Sequence, residues 1–344
     1  MANLSVKYLG LDLKSPVIVG SCGLTNSIAN LKKIEEAGAG AVVLKSIFEE
    51  QIQLETEARA HSDKDQMPSW NAAFDEIISK NPFAYEEALS YVLGYAKENT
   101  LNEYLAFVSE AKKALNIPVI ASVNCISSFD WADFSKRIQQ AGADAIELNI
   151  YILPSDFNKT PVEIESVYGN IIREVKKFVS IPVSLKIGYY FSGLANSVKT
   201  ISESGIEGLV LFNRPFTPDI DIEKISLTNT SILSNNDEYL TTLRWIAILS
   251  GKTDCDLVAS TGIHNYETVV KQLLAGATAV EVASVLYKNG IDSISKLNEG
   301  LASWMDKHGF KTIAEFNGKL NKQNLGNLAA YERVQFMKNM SNIE

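Results

Sequence analysis

Eight short apolar runs in this chain close on residues that can grip a ligand or make room for one. They are Ser21, Lys45, Asn124, Asn149, Lys186, Asn213, the pair Thr261-Gly262 and the pair Ala283-Ser284. Taken singly, each reads equally well as a polar residue that merely ends a strand. Gathered in one ring, the asparagines and lysines mean more, because a buried lysine is costly unless it meets an anion or an electron-rich partner. Asparagine offers donors and an acceptor to the edge of a flat heterocycle, and lysine adds a positive charge. A flavin ring uses that combination, since its reduction places negative charge near N1 that a cation stabilises. The small residues closing the last two runs, with Ser284 opening a short helix, suit a phosphate. The residues by themselves therefore lead to a phosphate-bearing cofactor, with FMN preferred.

For these side chains to meet, the runs must be neighbouring strands. One phrase occurs four times, as AGAGAVVLK at 37–45, AGADAIELN at 141–149, SGIEGLVLFN at 204–213 and AGATAVEVAS at 275–284. Its glycine suits the left-handed end of a helix, and the apolar run after it suits a strand buried on both faces. Between the copies lies a second phrase: SPVIVGS at 15–21, IPVIASVN at 117–124, IPVSLKIG at 181–188 and, without the proline, CDLVASTG at 255–262. Apolar spacing predicts helices over 27–37, 101–115, 130–141, 162–179, 192–204, 239–250 and 265–275. Alternating strands and helices make either an open doubly wound sheet or a closed barrel. No GxGxxG follows the first strand and the repeat is even, so we expect an α/β TIM-type (β/α)8 barrel, its site at the carboxyl ends of the strands.

Two connections break the rhythm, 46–100 after strand two and 214–238 after strand six, and both leave the catalytic face, where long loops act as lids. We expect one domain over 1–320 and a C-terminal helical tail over 321–344, suited to docking or oligomer contact. A formal net charge of −9 without a basic cluster argues against nucleic acid and anionic membranes. No stretch is apolar enough to span a bilayer and the amino terminus carries no secretory pattern, so a cytoplasmic location is expected. Cys22, Cys125 and Cys255 are too scattered for a disulfide framework, zinc or an iron–sulfur cluster, and no metal is expected. Cys22 and Cys125 are read as packing residues, because neither His61 nor His308 is placed to activate them; His264, just past Gly262, is the histidine near the pocket.

With the residues placed in this way, the chain resembles the dihydroorotate dehydrogenase family, and within it the dihydroorotate dehydrogenase-like branch. The resemblance covers roughly residues 3 to 320, from LSVKYLGLDLKSP to TIAEFNGKL, and is carried by IELNIYILPSD, LVLFNRPFTPDIDIE and LRWIAIL. It implies FMN lying across the barrel mouth, hydride transfer from dihydroorotate or a similar cyclic amide, and a place in pyrimidine biosynthesis. Lys45 and Lys186 match lysines near the flavin, Asn149 an asparagine shared by flavin and substrate, and Asn213 one facing the substrate. Thr261-Gly262 stands where the family usually has two glycines, and Ala283-Ser284 where it usually has Gly-Thr. A homodimer fits the family, and electrons would leave through a small acceptor or a partner protein.

The loop after strand four departs from that pattern. Where soluble members carry a cysteine base in a phrase like NLSCPN, this chain has Asn149-Ile150-Tyr151-Ile152-Leu153-Pro154-Ser155, with Ile152 or Leu153 in the cysteine's place. Neither can take a proton, which leaves Ser155 or Tyr151 as substitute bases. The glycine-rich turn before helix six is replaced by Ser234-Asn235-Asn236-Asp237, and the substrate loop after strand two has no clear match within 46–80. Tyr189-Tyr190-Phe191 could wall the ring or simply pack. Arg214 could bind a carboxylate or form a surface salt bridge. Two alternatives stay open: a flavin-binding protein without catalysis, and a flavin-free Schiff-base lyase using Lys186.

Overall fold

Each copy of the Ala-Gly phrase turns the chain from helix to strand in the same way. Gly38, Gly142, Gly205 and Gly276 all take left-handed backbone angles, with φ of 93°, 96°, 91° and 109°, a conformation open to glycine and strained for other residues. A computed structural model describes residues 2–48, 101–125, 132–215, 217–229, 231–326 and 329–332. Over these the chain runs β1 (Val6–Tyr8), β2 (Leu11–Leu13), β3 (Val17–Val19), α1 (Ile28–Glu36), β4 (Ala41–Val43), β5 (Ile47–Phe48), α2 (Leu101–Ala114), β6 (Val119–Cys125), α3 (Ala132–Gln140) and β7 (Ala145–Ile150). It continues through α4 (Pro161–Phe178), β8 (Val183–Ile187), α5 (Leu194–Ser202), β9 (Gly208–Leu211), β10 (Pro218–Asp221), β11 (Ser226–Asn229), α6 (Tyr239–Leu249) and β12 (Asp256–Ser260). The last elements are α7 (Tyr266–Ala275), β13 (Ala279–Val282), α8 (Ser284–Asn289), α9 (Ser293–His308) and α10 (Ala329–Glu332).

Eight of the strands are parallel and close in a ring: β3–β4–β6–β7–β8–β9–β12–β13 and back to β3, the seam being Val17 beside Val280. This is the (β/α)8 barrel. Side chains alternate along each strand, so one set points inward and the next outward under the helices. The outward set, including Val17, Val19, Val42, Leu148, Leu185 and Leu209, packs with the helices in one buried cluster. The inward set, including Ile18, Val43, Ile120, Val210 and Val258, meets Tyr8, Leu9 and Leu13 in a second. The β1–β2 hairpin therefore stops the floor of the barrel. Its turn uses Leu9 (φ 55°) and Gly10 (φ 74°), and the Leu9 amide donates to Asp256 Oδ2 at 2.9 Å.

Local signals explain the helix starts. Thr160 and Glu163 form a reciprocal capping box around Pro161, and Asn265 accepts from the Thr268 amide to open α7. The seven predicted helices are α1 to α7. Sequence periodicity did not identify α9, which packs against α7 and is tied to the loop before β4 by Asn298 Nδ2 donating to Gly38 O at 2.9 Å. Of the two long connections, most of 46–100 lies outside the described residues. The other folds as a hairpin, β10 paired antiparallel with β11. Residues 320–322 dock on the barrel, where the Lys322 amide donates to Ala247 O at 2.8 Å, and the end of the tail beyond 332 lies outside the described residues. No described helix is long and apolar enough to cross a membrane.

Candidate active site at the barrel mouth

Register brings the predicted residues together. Asn124 on β6 lies beside Asn149 on β7, and Asn149 beside Lys186 on β8, one row across three adjacent strands. Asn213 follows β9; its amide donates to Ile187 O at 2.8 Å, and its Nδ2 donates to Asn149 Oδ1 at 2.9 Å. The pair thus keeps an amide donor on Asn149 and an amide acceptor on Asn213 for a ligand. Lys45, beyond β4, holds its ammonium 5.6 Å from the centre of the Phe48 ring. Ser21 belongs to a chain of hydroxyls, Ser21 Oγ to Ser46 Oγ at 2.9 Å and Ser46 Oγ to Ser122 Oγ at 2.8 Å.

A second group gathers where β12 and β13 end. The Gly262 amide donates to Ser234 Oγ at 3.3 Å, the Ser234 amide to Ser284 Oγ at 3.0 Å, and Lys288 Nζ to Ser234 O at 2.7 Å. His264 Nε2 lies 3.0 Å from Ser234 Oγ, and burial, then the charge of Lys288, lowers its pKa. Ser234, in the turn before α6, is thus in contact with Gly262 and Ser284. Gly262 has φ 76°, and a Cβ there would sit 2.2 Å from the Tyr239 nitrogen, so the position admits only glycine. Thr261 has φ 75°, a strained conformation for a β-branched residue, anchored by its Oγ1 donating to Phe212 O at 3.0 Å. Ala283 links β13 to α8.

Below the mouth the barrel interior is charged. Lys186 is 8 % exposed and its Nζ sits 2.5 Å from Glu281 Oε2. Burial alone would lower the lysine pKa, but Glu281 and then Glu147 outweigh it and hold the ammonium above its ordinary value. Glu147 is buried on β7, and burial, then repulsion from Glu281, raises its carboxyl well above the usual range. These two acids escaped the sequence reading, although a signal was there. Both occupy the seventh position of the repeated phrase, in AGADAIELN and AGATAVEVAS, two residues before the ninth-position Asn149 and Ala283, and so on the same inward face. Ser46, Ser122, Ser234 and Lys288 were missed as well, because they act through loops or through a neighbouring strand.

Other predicted residues are placed elsewhere. Tyr151 packs against the backbone of Gly188, where a Cβ would meet its ring at 2.6 Å, and its ring centre lies 6.0 Å from that of Tyr190. Its hydroxyl is buried without a hydrogen-bond partner, and burial followed by Tyr190 raises the phenol far above its ordinary pKa. Such a group holds its proton. Ser155 is exposed, and Leu153, beside it, is 55 % exposed. Arg214 is held by its own loop, Nε donating to Glu238 Oε2 at 2.8 Å and Nη1 to Ser231 O at 2.8 Å. Tyr189 meets Tyr190 and Phe212 edge on or tilted, and so walls one side of the mouth. Burial raises the Cys22 thiol, consistent with packing; His308 lies tilted against Trp304, the ring centres 4.7 Å apart. The Cys125 side chain and His61 lie outside the described residues.

A parallel (β/α)8 barrel places its functional residues at the carboxyl ends of the strands, where amides and ammonium groups gather in this chain. The family model for dihydroorotate dehydrogenase matches residues 3–305. The chain belongs to the dihydroorotate dehydrogenase family, whose members are oxidoreductases. Among similar proteins, a dihydroorotate dehydrogenase B (NAD(+)) catalytic subunit of Thermoplasma volcanium is 26 % identical over 92 % of this chain and 98 % of its own length. A putative dihydroorotate dehydrogenase A (fumarate) of Aeropyrum pernix is 25 % identical over 92 % and 96 %. A B-type catalytic subunit of Methanocaldococcus jannaschii is 24 % identical over 92 % and 97 %.

Proposed function

We propose that this chain is an FMN-dependent dehydrogenase acting on dihydroorotate or a similar cyclic amide. The observation that carries the reading is the Asn213–Asn149 amide pair, with Asn149 in register beside Lys186, inside a barrel of this family. When bound, FMN would supply the hydride acceptor. The donor set suits it. Lys186 and Lys45 offer positive charge, Asn124 and Asn149 offer amides to ring edges, and Ser21 adds a hydroxyl. Gly262, Ser284 and Ser234, with the Lys288 ammonium, suit the phosphate. Asn213 would present its acceptor to a substrate N–H, and Tyr189 would screen the mouth from water. The Lys186 ammonium is paired with Glu281 and so is no nucleophile, which supports the flavin reading over a Schiff-base lyase.

Proton removal from the substrate falls to Ser155, the exposed hydroxyl of the loop, since Tyr151 keeps its proton. A second reading is favoured by one observation: Ile152 and Leu153 stand where the family's cysteine base stands, so the chain would bind flavin and substrate without turning over. The purified protein is expected to be yellow and to bleach when dihydroorotate is added without oxygen. Colour without bleaching removes the substrate assignment, and a colourless protein after incubation with FMN removes the cofactor. If Ser155→Ala bleaches at the wild-type rate, Ser155 is not the base.

A further inference from the structure

Glu147 and Glu281 are the two acids of the barrel interior that face the only ammonium within it among the described residues. They sit on β7 and β13, the fourth and eighth strands of the ring, and so on opposite walls. The other even strands carry Val43 and Val210 at the same phrase position. The interior of a (β/α)8 barrel is ordinarily filled by branched apolar side chains, so two acids in such a layer call for a role. One oxygen of Glu281 is bound to Lys186. Its other oxygen and both oxygens of Glu147 are buried without a hydrogen-bond partner.

Two carboxylates against one ammonium would leave a net negative charge sealed in the barrel, and neighbouring acids in that position do not both ionise. The other titratable groups around them do not supply a second cation. Tyr8 from β1 is pushed up by burial, then by both acids, and stays neutral. Cys22, past β3, is a thiol held neutral by burial. Asp256 at the start of β12 is bound to the Leu9 amide and to Thr278 at the floor of the barrel.

We propose that Glu147 and Glu281 hold one proton between them and form with Lys186 a neutral triad beneath the ring site, and that this neutrality limits how strongly reduced flavin is favoured. The second half rests on the FMN reading above. Either acid can serve as the counter-ion of Lys186, so losing one transfers the charge to the other. Losing both leaves the ammonium unopposed beneath the ring, where it stabilises the negative charge of the reduced state. The three residues are charge-setting and positioning groups; the substrate does not touch them.

Two measurements on the holoprotein test this. In the infrared spectrum at neutral pH, the wild type shows the carbonyl band of a protonated carboxylic acid, identified by its shift in heavy water. That band disappears in both Glu147→Gln and Glu281→Gln, because the remaining acid ionises against Lys186. No band in the wild type, or a band that survives in either single variant, overturns the shared proton. In redox titration, each single variant changes the ratio of affinities for oxidised and reduced FMN by less than threefold. The double variant shifts it at least tenfold toward the reduced form, about 30 mV more positive for a two-electron couple. Single variants that shift as far as the double overturn the tuning role. A protein that takes up no FMN removes the flavin reading and the tuning role with it, while the band still decides the shared proton. The single variants are near-isosteric, so the infrared result stands even if the double variant does not fold.

Discussion

Replacing Glu147 by Gln should change how stability depends on pH, and the size of that change follows from where the acid sits. In the folded protein burial and Glu281 keep the Glu147 carboxyl protonated well above the usual glutamate range, while in the unfolded chain it ionises at its ordinary value. Above that value the folded state holds one more proton than the unfolded state. Stability is then fully present below the unfolded pKa and falls as pH rises toward the folded one, by about 1.4 kcal/mol for each pH unit. From pH 5 toward pH 7 the wild type should therefore lose stability through this group, a loss that Glu147→Gln does not suffer. The amide carries its own penalty of about 1–3 kcal/mol for a buried unpaired group, but that term does not vary with pH. The slope is therefore the diagnostic. Urea unfolding of both proteins at half-unit steps from pH 5 to pH 7 measures it. Two parallel profiles, whatever their offset, would refute the placement of a protonated acid in the barrel.

Three further outcomes follow from the geometry. Asn213→Ala should leave FMN uptake intact but weaken dihydroorotate binding about tenfold or more, the cost of roughly 1.5 kcal/mol for one lost hydrogen bond; flavin-bleaching titrations measure it. Gly262→Ala would force a Cβ to within 2.2 Å of the Tyr239 nitrogen at φ 76°, and should destabilise the fold by at least about 2 kcal/mol in urea unfolding. Lys288→Ala should weaken FMN binding several-fold at low salt and less at high salt, because this exposed cation acts through a screened field; riboflavin, lacking the phosphate, should bind both proteins alike.

The frame of the barrel was legible because two physical requirements repeat along the chain. Every strand needs an apolar run, and four of the helix ends need a left-handed glycine, so Gly38, Gly142, Gly205 and Gly276 mark the period on their own. Part of the candidate site was legible for a related reason, since Lys45, Asn149 and Ala283 each stand seven residues after one of those glycines. What escaped was information that is not local. Glu147 and Glu281 look like ordinary strand acids until the ring closes and places them across from each other with Lys186 between. Arg214 reads equally well as a carboxylate binder or a salt-bridge partner until the fold brings Glu238, in the turn before α6, against it. Ser234 looks like a loop serine, and only the fold brings it against Gly262 and Ser284. Helix α9 leaves no mark in the repeat because it follows the last strand, where the repeat has already ended.

The hairpin that stops the floor of the barrel is made before the eight strands of the ring, yet it waits for nearly the last of them. Its Leu9 amide needs Asp256, the adjoining residue Asn3 bridges to Thr312, and β3 finds one of its two neighbours only when β13 arrives. Contacts of such long sequence separation form slowly, since the loop they close must be ordered before they repay it. A growing chain would therefore carry an open apolar edge along β3 for most of its synthesis. The stopper makes the finished barrel a locked ring and leaves the unfinished one a sticky open sheet, so its demand on cellular folding assistance should fall on the nascent chain rather than on the mature protein.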